Sequence, residues 1–267
     1  MTLILHGDCQ EQLKNIKDET VDAIITDPPY GITFMGNKWD YDVPSIKIWK
    51  ESIRVLKKGG YLLSFSSAKT YHRLVCNVED AGFEIRDQIL WIYGEGMPKS
   101  KSLLKPAHEP IVMAIKPGQL QELNIDKSRI GTEKRINKKT SKNKNCFSQI
   151  DDNDRECIGR YPANLLHDGS TGIEQFTNYF YCAKADEKDR NVYNTHPTVK
   201  PIKLMEYLIR LVCPVGSLIL DPFMGSGSTG KAALQQGMNF IGIEQNAEYV
   251  KIAKKRLDKV VYQQGLF

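Results

Sequence analysis

The sequence lacks the features that would direct a protein into or across a membrane. No apolar run approaches the roughly 18 residues that a spanning helix requires. Residues 1–8 have neither the basic start nor the small-residue cleavage site of a signal peptide. The cysteines include no C-x-x-C pair, which argues against a zinc site and against a disulfide framework. We therefore expect a cytoplasmic protein with reduced thiols and no membrane partner.

The overall composition leaves the class of partner open. With 267 residues, of which 41% are hydrophobic, the chain can form one large α/β domain or one domain with a sizeable insertion. A net charge of +5 permits a polyanionic partner without requiring one. The position of the charges along the chain is more informative than their sum.

Short apolar runs alternate with amphipathic segments in both terminal parts of the chain. The strands are predicted at residues 3–6, 21–26, 61–65, 85–93, 111–115, 217–221 and 239–244. Segments with helical periodicity lie between most of them, which favours an α/β, doubly wound, mostly parallel seven-stranded sheet. The sequence is polar and irregular from about 117 to 195, so we divide the chain into 1–116, an insertion at 117–195, and 196–267.

The insertion carries a strongly basic segment. Residues 127–144 contain eight basic side chains against one acidic side chain. Such a run is often a solvated loop. The alternative is a surface that contacts phosphate groups, for which the candidate residues are Lys134, Arg135, Lys138 and Lys139.

A glycine-rich turn follows the predicted strand at 217–221. Gly225-x-Gly227-x-x-Gly230, with Glu244 about 20 residues later, fits a dinucleotide-binding dehydrogenase as well as a nucleoside-binding site of another kind. The negative charge of Asp221 would oppose a pyrophosphate, whereas it would attract the sulfonium and ammonium groups of S-adenosylmethionine. We therefore expect this cofactor. The candidate contacts in and after the turn are Asp221, Phe223, Gly225, Ser226, Gly227, Ser228, Thr229 and Glu244.

A second turn, Asp27-Pro28-Pro29-Tyr30, directly follows the buried strand at 21–26. The two prolines fix the backbone. Asp27 and the Pro28 carbonyl can then accept both hydrogens of an amino group, so that its lone pair points toward an electrophile. Tyr30 offers an aromatic face on which an extruded base can stack. A strand that merely ends in a Pro-Pro turn is the alternative. Its position after an apolar strand, in a chain that also has the Asp221 turn, argues against that alternative.

Five motifs resemble one enzyme family in their order along the chain. They are Asp27-Pro-Pro-Tyr-Gly, Lys38-Trp-Asp-Tyr-Asp-Val-Pro44, Lys105-Pro-Ala-His-Glu-Pro110, His196-Pro-Thr-Val-Lys-Pro201 and Asp221-Pro-Phe-Met-Gly-Ser-Gly-Ser-Thr229. The sequence is similar to the beta-class amino-methyltransferases of DNA, in which the catalytic tetrapeptide precedes the cofactor motif. It looks especially like the phage-encoded members.

The resemblance implies a circularly permuted, Rossmann-like methyltransferase whose first and last parts are its catalytic and cofactor-binding halves. It implies that Asp8 lies near the adenine amino group of the cofactor and that Thr198 and Lys200 contact its methionine end. A helix cap is the alternative for Asp8, and a surface charge is the alternative for Lys200. The DNA-recognition region would be the insertion.

The resemblance also implies the reaction. Asp27, Pro28 and Tyr30 would be catalytic, the substrate would be double-stranded DNA with a flipped base, and the methyl group would go to N6 of adenine. Transfer to N4 of cytosine is the nearest alternative, and an NAD(P)-dependent oxidoreductase is the alternative from another class. A bacterial or phage origin and a homodimer are further expectations.

Overall fold

The structure is a computed structural model that describes residues 1–33, 36, 40–94, 104–119, 121–137, 155–169, 180–190 and 193–260. The strands are β1 Thr2–His6, β2 Val21–Thr26, β3 Leu56–Phe65, β4 Glu84–Ile92, β5 His108–Ile115, β6 Ile130–Asn137, β7 Arg155–Arg160, β8 Leu165–His167, β9 Phe180–Tyr181, β10 Leu218–Asp221 and β11 Asn239–Glu244. The helices are α1 Cys9–Leu13, α2 Ile46–Val55, α3 Tyr71–Asp80, α4 Glu187–Arg190, α5 Ile202–Val212, α6 Ser228–Gln235 and α7 Ala247–Leu257.

One large sheet organises these elements in the order β1-β11-β10-β2-β3-β5-β4-β8-β9. The neighbouring strands are parallel except that β5 runs antiparallel to both β3 and β4. This confirms the α/β class and the mostly parallel sheet. The predicted number of seven strands is wrong, because β8 and β9 extend the sheet to nine. Their ladders contain only three and two residue pairs, too few to produce a periodic pattern in the sequence.

Helices cover both faces of the sheet because successive side chains of each buried strand point in opposite directions. In β2, Ile25 packs on the face that carries α5, α6 and α7, whereas Ile24 packs on the face that carries α1, α2 and α3. Both isoleucines are fully buried, and each such side chain contributes roughly 1.5–3 kcal/mol by leaving water. These two cores hold β2, β10 and β11 side by side at the centre.

Residues from the predicted insertion contribute strands to two different sheets. Strands β6 and β7 form a separate antiparallel two-stranded sheet, while β8 pairs with β4 in the main sheet. At the start of β6, Arg129 bonds Asp126 and lies 4.7 Å from the centre of the Tyr161 ring. Among the described residues, no helix is long and apolar enough to span a membrane.

Candidate active site

A single wide cleft lies where β1, β2, β10 and β11 end, at the carboxyl edge of the parallel strands. Its volume of about 2180 Å³ exceeds the roughly 300–1,000 Å³ of an ordinary small-molecule pocket, so two groups can bind side by side. Nearly all predicted site residues line it, namely Asp8, Asp27, Pro28, Tyr30, Thr198, Lys200, Asp221, Phe223, Gly225, Ser226, Ser228, Thr229 and Glu244.

The glycine turn after β10 adopts backbone conformations that disfavour side chains. Gly225 has φ +53°, and a Cβ there would lie 2.9 Å from His196 Nε2. Gly227 has φ +84° and precedes α6, where a Cβ would approach Ala253 of α7 to 3.2 Å. Gly227 therefore brings α6 close to α7 and does not line the cleft, unlike the other residues predicted to contact the cofactor.

Asp221 is a buried carboxylate at the start of this turn. It is 2% exposed and accepts hydrogen bonds from Thr26 Oγ1 at 2.6 Å and from the Phe223 amide at 3.1 Å. Burial raises its pKa to about 6 because these neutral donors only partly replace water. A cation in the cleft would stabilise the ionised form, so the site favours a positively charged ligand.

Glu244 closes the turn from the end of β11. Its Oε2 accepts from the Gly225 amide at 2.9 Å, and its Oε1 accepts from the Asn246 amide at 2.7 Å. Burial raises the pKa of this carboxyl group. Each carboxylate oxygen can accept a second hydrogen bond, so Glu244 can shape the turn and bind a hydroxyl group at once.

Asp8 caps helix α1, as the alternative interpretation of this residue predicted. Its Oδ1 accepts from the amides of Gln10 at 2.9 Å and Glu11 at 3.4 Å. The same side chain borders the cleft. Asp8 therefore has a structural role that is independent of any ligand.

The turn after β2 is held by a residue to which sequence reasoning assigned no role. Asp40 is 2% exposed, and its Oδ1 accepts from the amides of Tyr30 at 2.5 Å and Gly31 at 3.0 Å. Thr70 Oγ1 donates to the Tyr30 carbonyl at 2.6 Å. Asp40 lies ten residues after Tyr30, whereas Thr70 is 40 residues away and reaches the turn only through the tertiary structure.

Lys200 is buried against the turn after β2, which makes the surface-charge alternative wrong. Its Nζ lies 2.6 Å from Asp27 Oδ2 and 3.1 Å from Glu109 Oε2, and it is 8% exposed. Burial alone would lower the pKa of this lysine, but the charges of Asp27 and Glu109 raise it. Lys200 is therefore an ammonium at neutral pH. Glu109 lies within a recognised motif, yet nothing in the sequence indicated its contact with Lys200.

The Tyr30 hydroxyl lies in the same cluster. It is 2.7 Å from Asp27 Oδ1 and 3.1 Å from Glu109 Oε2. Its single proton can be donated to one carboxylate at a time. Burial and then the two negative charges raise the pKa of Tyr30 well above its usual value. The hydroxyl is thus a bonded part of the site, in addition to the ring face that the sequence emphasised.

The segment before α5 covers the glycine turn. The His196 ring lies 4.4 Å from the Tyr249 ring, centre to centre, and its Nδ1 donates to the Thr198 carbonyl at 2.5 Å. Burial lowers the pKa of His196, so the ring is neutral at pH 7. Thr198 faces the cleft beside it, which agrees with a ligand contact there.

Among the described basic candidates, Lys134 is not one of the residues that line the cleft. Lys134 is exposed on β6 opposite Ile158, and Arg135 is the next residue of that strand. Lys138 and Lys139 lie outside the described residues.

The sequence matches a known family over most of its length. The family model N6_N4_Mtase, described as DNA methylase, matches residues 21–255. The DNA adenine methyltransferase YhdJ of Escherichia coli (strain K12) is 32% identical over 275 residues, covering 96% of this chain and 82% of that protein. The type II methyltransferase M.HpaI of Haemophilus parainfluenzae is 29% identical, covering 92% and 71%.

Solved structures agree with this match. The crystal structure of the M1.HpyAVI-SAM complex superposes with a TM-score of 0.60 at 25% identity, covering 97% of this chain and 100% of that one. PvuII DNA methyltransferase (cytosine-N4-specific) gives 0.65 at 18% identity, covering 96% and 86%, which supports the fold alone. The cleft, its two turns and these matches together make the chain a member of the N6_N4_Mtase family of DNA methylases.

Proposed function

We propose that this protein transfers a methyl group from S-adenosylmethionine to N6 of adenine in double-stranded DNA. The observation that carries the proposal is a hydrogen bond between the ends of β2 and β10, where the two predicted turns begin. Thr26, at the end of β2, donates to Asp221, at the end of β10, at 2.6 Å. The amino-binding turn and the cofactor-binding turn therefore open into one cleft, so an amino group and a methyl donor can meet there.

The residues around the glycine turn fit S-adenosylmethionine. Carboxylates of Asp8, Asp221 and Glu244 border this part of the cleft, and they suit a ligand with two cationic groups and a ribose. The close contact between Gly225 and His196 leaves backbone rather than side chain facing the ligand. A dinucleotide pyrophosphate would meet the buried charge of Asp221, which argues against the oxidoreductase alternative.

When bound, S-adenosylmethionine supplies an electrophilic methyl group on a sulfonium. The chain orients the acceptor. Although Asp27 already contacts Tyr30 and Lys200, its oxygens can accept one more hydrogen bond. Asp27 and the Pro28 carbonyl would bind the two amino hydrogens and leave the lone pair directed out of the base plane. Positioning of this kind can supply much of the rate enhancement.

Entry of the base into the cleft requires that it leaves the DNA helix. Trp91, Tyr93 and Leu104 line the same cleft as Tyr30 and Asp27 and give it an apolar wall. Aromatic faces bind an unstacked base with about 1–3 kcal/mol each. This wall therefore provides a binding surface for an extruded base.

The adenine preference is proposed from the aspartate at the first position of the tetrapeptide and from the named adenine methyltransferase YhdJ. Transfer to N4 of cytosine is the second candidate, since both amino groups present the same two hydrogens. The basic strand β6, with Lys134 and Arg135, is proposed to contact DNA phosphates together with Lys138 and Lys139.

Because its substrate is DNA, we place the enzyme in the cytoplasm of a bacterial cell. Phage origin and a homodimer are further parts of the proposal. Light scattering coupled to gel filtration measures the second of these directly.

The proposed function is tested by incubating the protein with S-adenosylmethionine and genomic DNA that lacks methylation, followed by single-molecule sequencing. We expect N6-methyladenine in one sequence context. N4-methylcytosine would retain the family chemistry and overturn the adenine assignment. If the protein binds the cofactor but leaves the DNA unmodified after incubation, the proposed function would be overturned.

A further inference from the structure

The charge cluster beside the catalytic turn contains more residues than amino-group binding requires. Lys200 Nζ contacts Asp27 at 2.6 Å and Glu109 at 3.1 Å, and it also donates to the Tyr30 hydroxyl at 3.1 Å. The Tyr30 hydroxyl in turn contacts both carboxylates. Asp27 and Glu109 thus share the same two donors.

Three further titratable groups face the cluster. His196 lies near Asp27 and Lys200, and burial lowers its pKa, so it is neutral above pH 7. Asp221 interacts with Asp27 from the next strand. Burial and the charge of Glu109 raise the pKa of Tyr93, so it also stays neutral. The Phe65 ring, 4.8 Å from Lys200 Nζ, contributes no titratable group.

We propose that Lys200 and Glu109 are positioning residues that act in opposition on Asp27. Lys200 holds Asp27 as an oriented carboxylate. Glu109 shares Lys200 and the Tyr30 hydroxyl with Asp27, so it weakens the hold of both donors on Asp27. The inference rests on the proposed methyl transfer and concerns how the same site is tuned.

The opposition follows from the charges. Without the ammonium, two carboxylates share one hydroxyl donor, and like charges this close favour protonation of one of them. Without Glu109, one like charge is lost and the ammonium and the hydroxyl interact with Asp27 alone, which favours the ionised form of Asp27. The two removals should therefore shift the titration of Asp27 in opposite directions, which a merely structural role would not do.

The direct measurement is carboxyl ¹³C NMR of Asp- and Glu-labelled protein without cofactor or DNA, with the Asp27 signal assigned from Asp27→Asn. We expect Lys200→Met to raise the titration midpoint by about 1–3 pH units. Glu109→Gln should lower the midpoint, and Lys200→Arg should restore it because the positive charge is retained. Lys203 is an exposed lysine in α5, so Lys203→Met is the matched control and should leave the midpoint unchanged.

The pH profile of kcat for methyl transfer provides the second readout. In Lys200→Met, the acidic limb of the profile should move to higher pH, so that kcat partly recovers at high pH. In Glu109→Gln, kcat should fall without such recovery. Thermal melting of each variant identifies loss of folding. If Lys200→Met does not fold, the midpoints of Glu109→Gln and Lys200→Arg still test the inference.

The inference would be overturned if Glu109→Gln and Lys200→Met both kept the wild-type midpoint. It would also be overturned if the two variants shifted the midpoint in the same direction. Because the NMR titration needs neither cofactor nor DNA, its result is independent of whether the wild-type protein methylates DNA. A failure of the proposed function is therefore distinguishable from a failure of this inference.

Discussion

The cleft and the basic strand β6 both carry many charged side chains, but they organise charge differently. In the cleft, Lys200 Nζ lies within 3.1 Å of a carboxylate oxygen of both Asp27 and Glu109, and Lys200 is 8% exposed. On β6, Lys134 is exposed, and the ladder that holds it pairs only β6 with β7.

This difference determines what each region can do. Buried ion pairs are screened little by salt, so their geometry can fix the orientation of a reacting group. Exposed charges attract phosphate backbones over a distance set by ionic strength, with little dependence on sequence. We therefore expect single substitutions to have large effects in the cleft and small ones on β6.

The largest effect is expected for Asp27→Ala. The variant keeps β2 and both prolines, so it should fold and bind S-adenosylmethionine, yet lose methyl transfer by about 10²–10³-fold or more, because no carboxylate orients the amino group. Transfer of labelled methyl to DNA measures this, with Asp80→Ala on α3 as a control for an exposed aspartate. Activity of Asp27→Ala near the wild-type rate would remove Asp27 from the mechanism.

Asp40→Ala should have the next largest effect. It leaves the amides of Tyr30 and Gly31 without their acceptor, at a cost of about 1–3 kcal/mol for each unsatisfied donor. Both the melting temperature and kcat should fall. Asp40→Asn retains a side-chain oxygen and should recover part of both losses. Exposed Asp42, two residues away, provides the control Asp42→Ala, and equal melting temperatures for the Asp40 and Asp42 alanine variants would contradict the positioning role.

Asp221→Asn separates ligand binding from stability. Loss of one charge-assisted interaction should weaken S-adenosylmethionine binding by about 10- to 150-fold, equivalent to about 1.5–3 kcal/mol. In the wild type, affinity should decrease as the pH falls through about 6, where Asp221 becomes protonated, whereas the variant should lack that dependence. Calorimetry at several pH values measures both.

The pH dependence that Asp221 gives to folding stability has the opposite sign to the pH dependence of binding. The folded protein holds the Asp221 proton more tightly than the unfolded chain, whose aspartates titrate near about 3.9. Its contribution to stability is therefore complete below that pH and is lost as the pH rises through about 6. Asp221→Asn should then unfold at no lower denaturant concentration than the wild type at pH 8. Weaker binding together with clear destabilisation would indicate a structural role instead.

The smallest effect is expected for Lys134→Ala on β6. If Lys134 contacts one phosphate, DNA affinity should fall a few-fold on all sequences, and the slope of log K against log salt should decrease by about 0.9. Changing Lys134, Arg135, Lys138 and Lys139 together to Ala should increase this effect. Exposed Lys14, directly after α1, provides the control Lys14→Ala. A four-residue variant with wild-type affinity and salt slope would show that the basic segment does not contact DNA.

The sequence by itself determined the elements whose cause is local. The apolar run of β2 ends where Asp27 and the prolines begin, and Gly225 and Gly227 occupy the left-handed conformations that only glycine adopts readily. Burial patterns and turn chemistry of this kind act over a few residues. The α/β class, the cleft-lining turns and the family could therefore be predicted before any coordinates.

Only the tertiary structure decided the contacts that join distant parts of the chain. Strand β8 pairs with the edge of β4, β9 pairs with β8, and Lys200 meets Asp27 across 173 positions of sequence. The same is true of Thr70 at the Tyr30 carbonyl and of Glu109 beside Lys200. A side chain's partner in such cases is set by how helices and strands pack, and a single sequence carries no local signal for it.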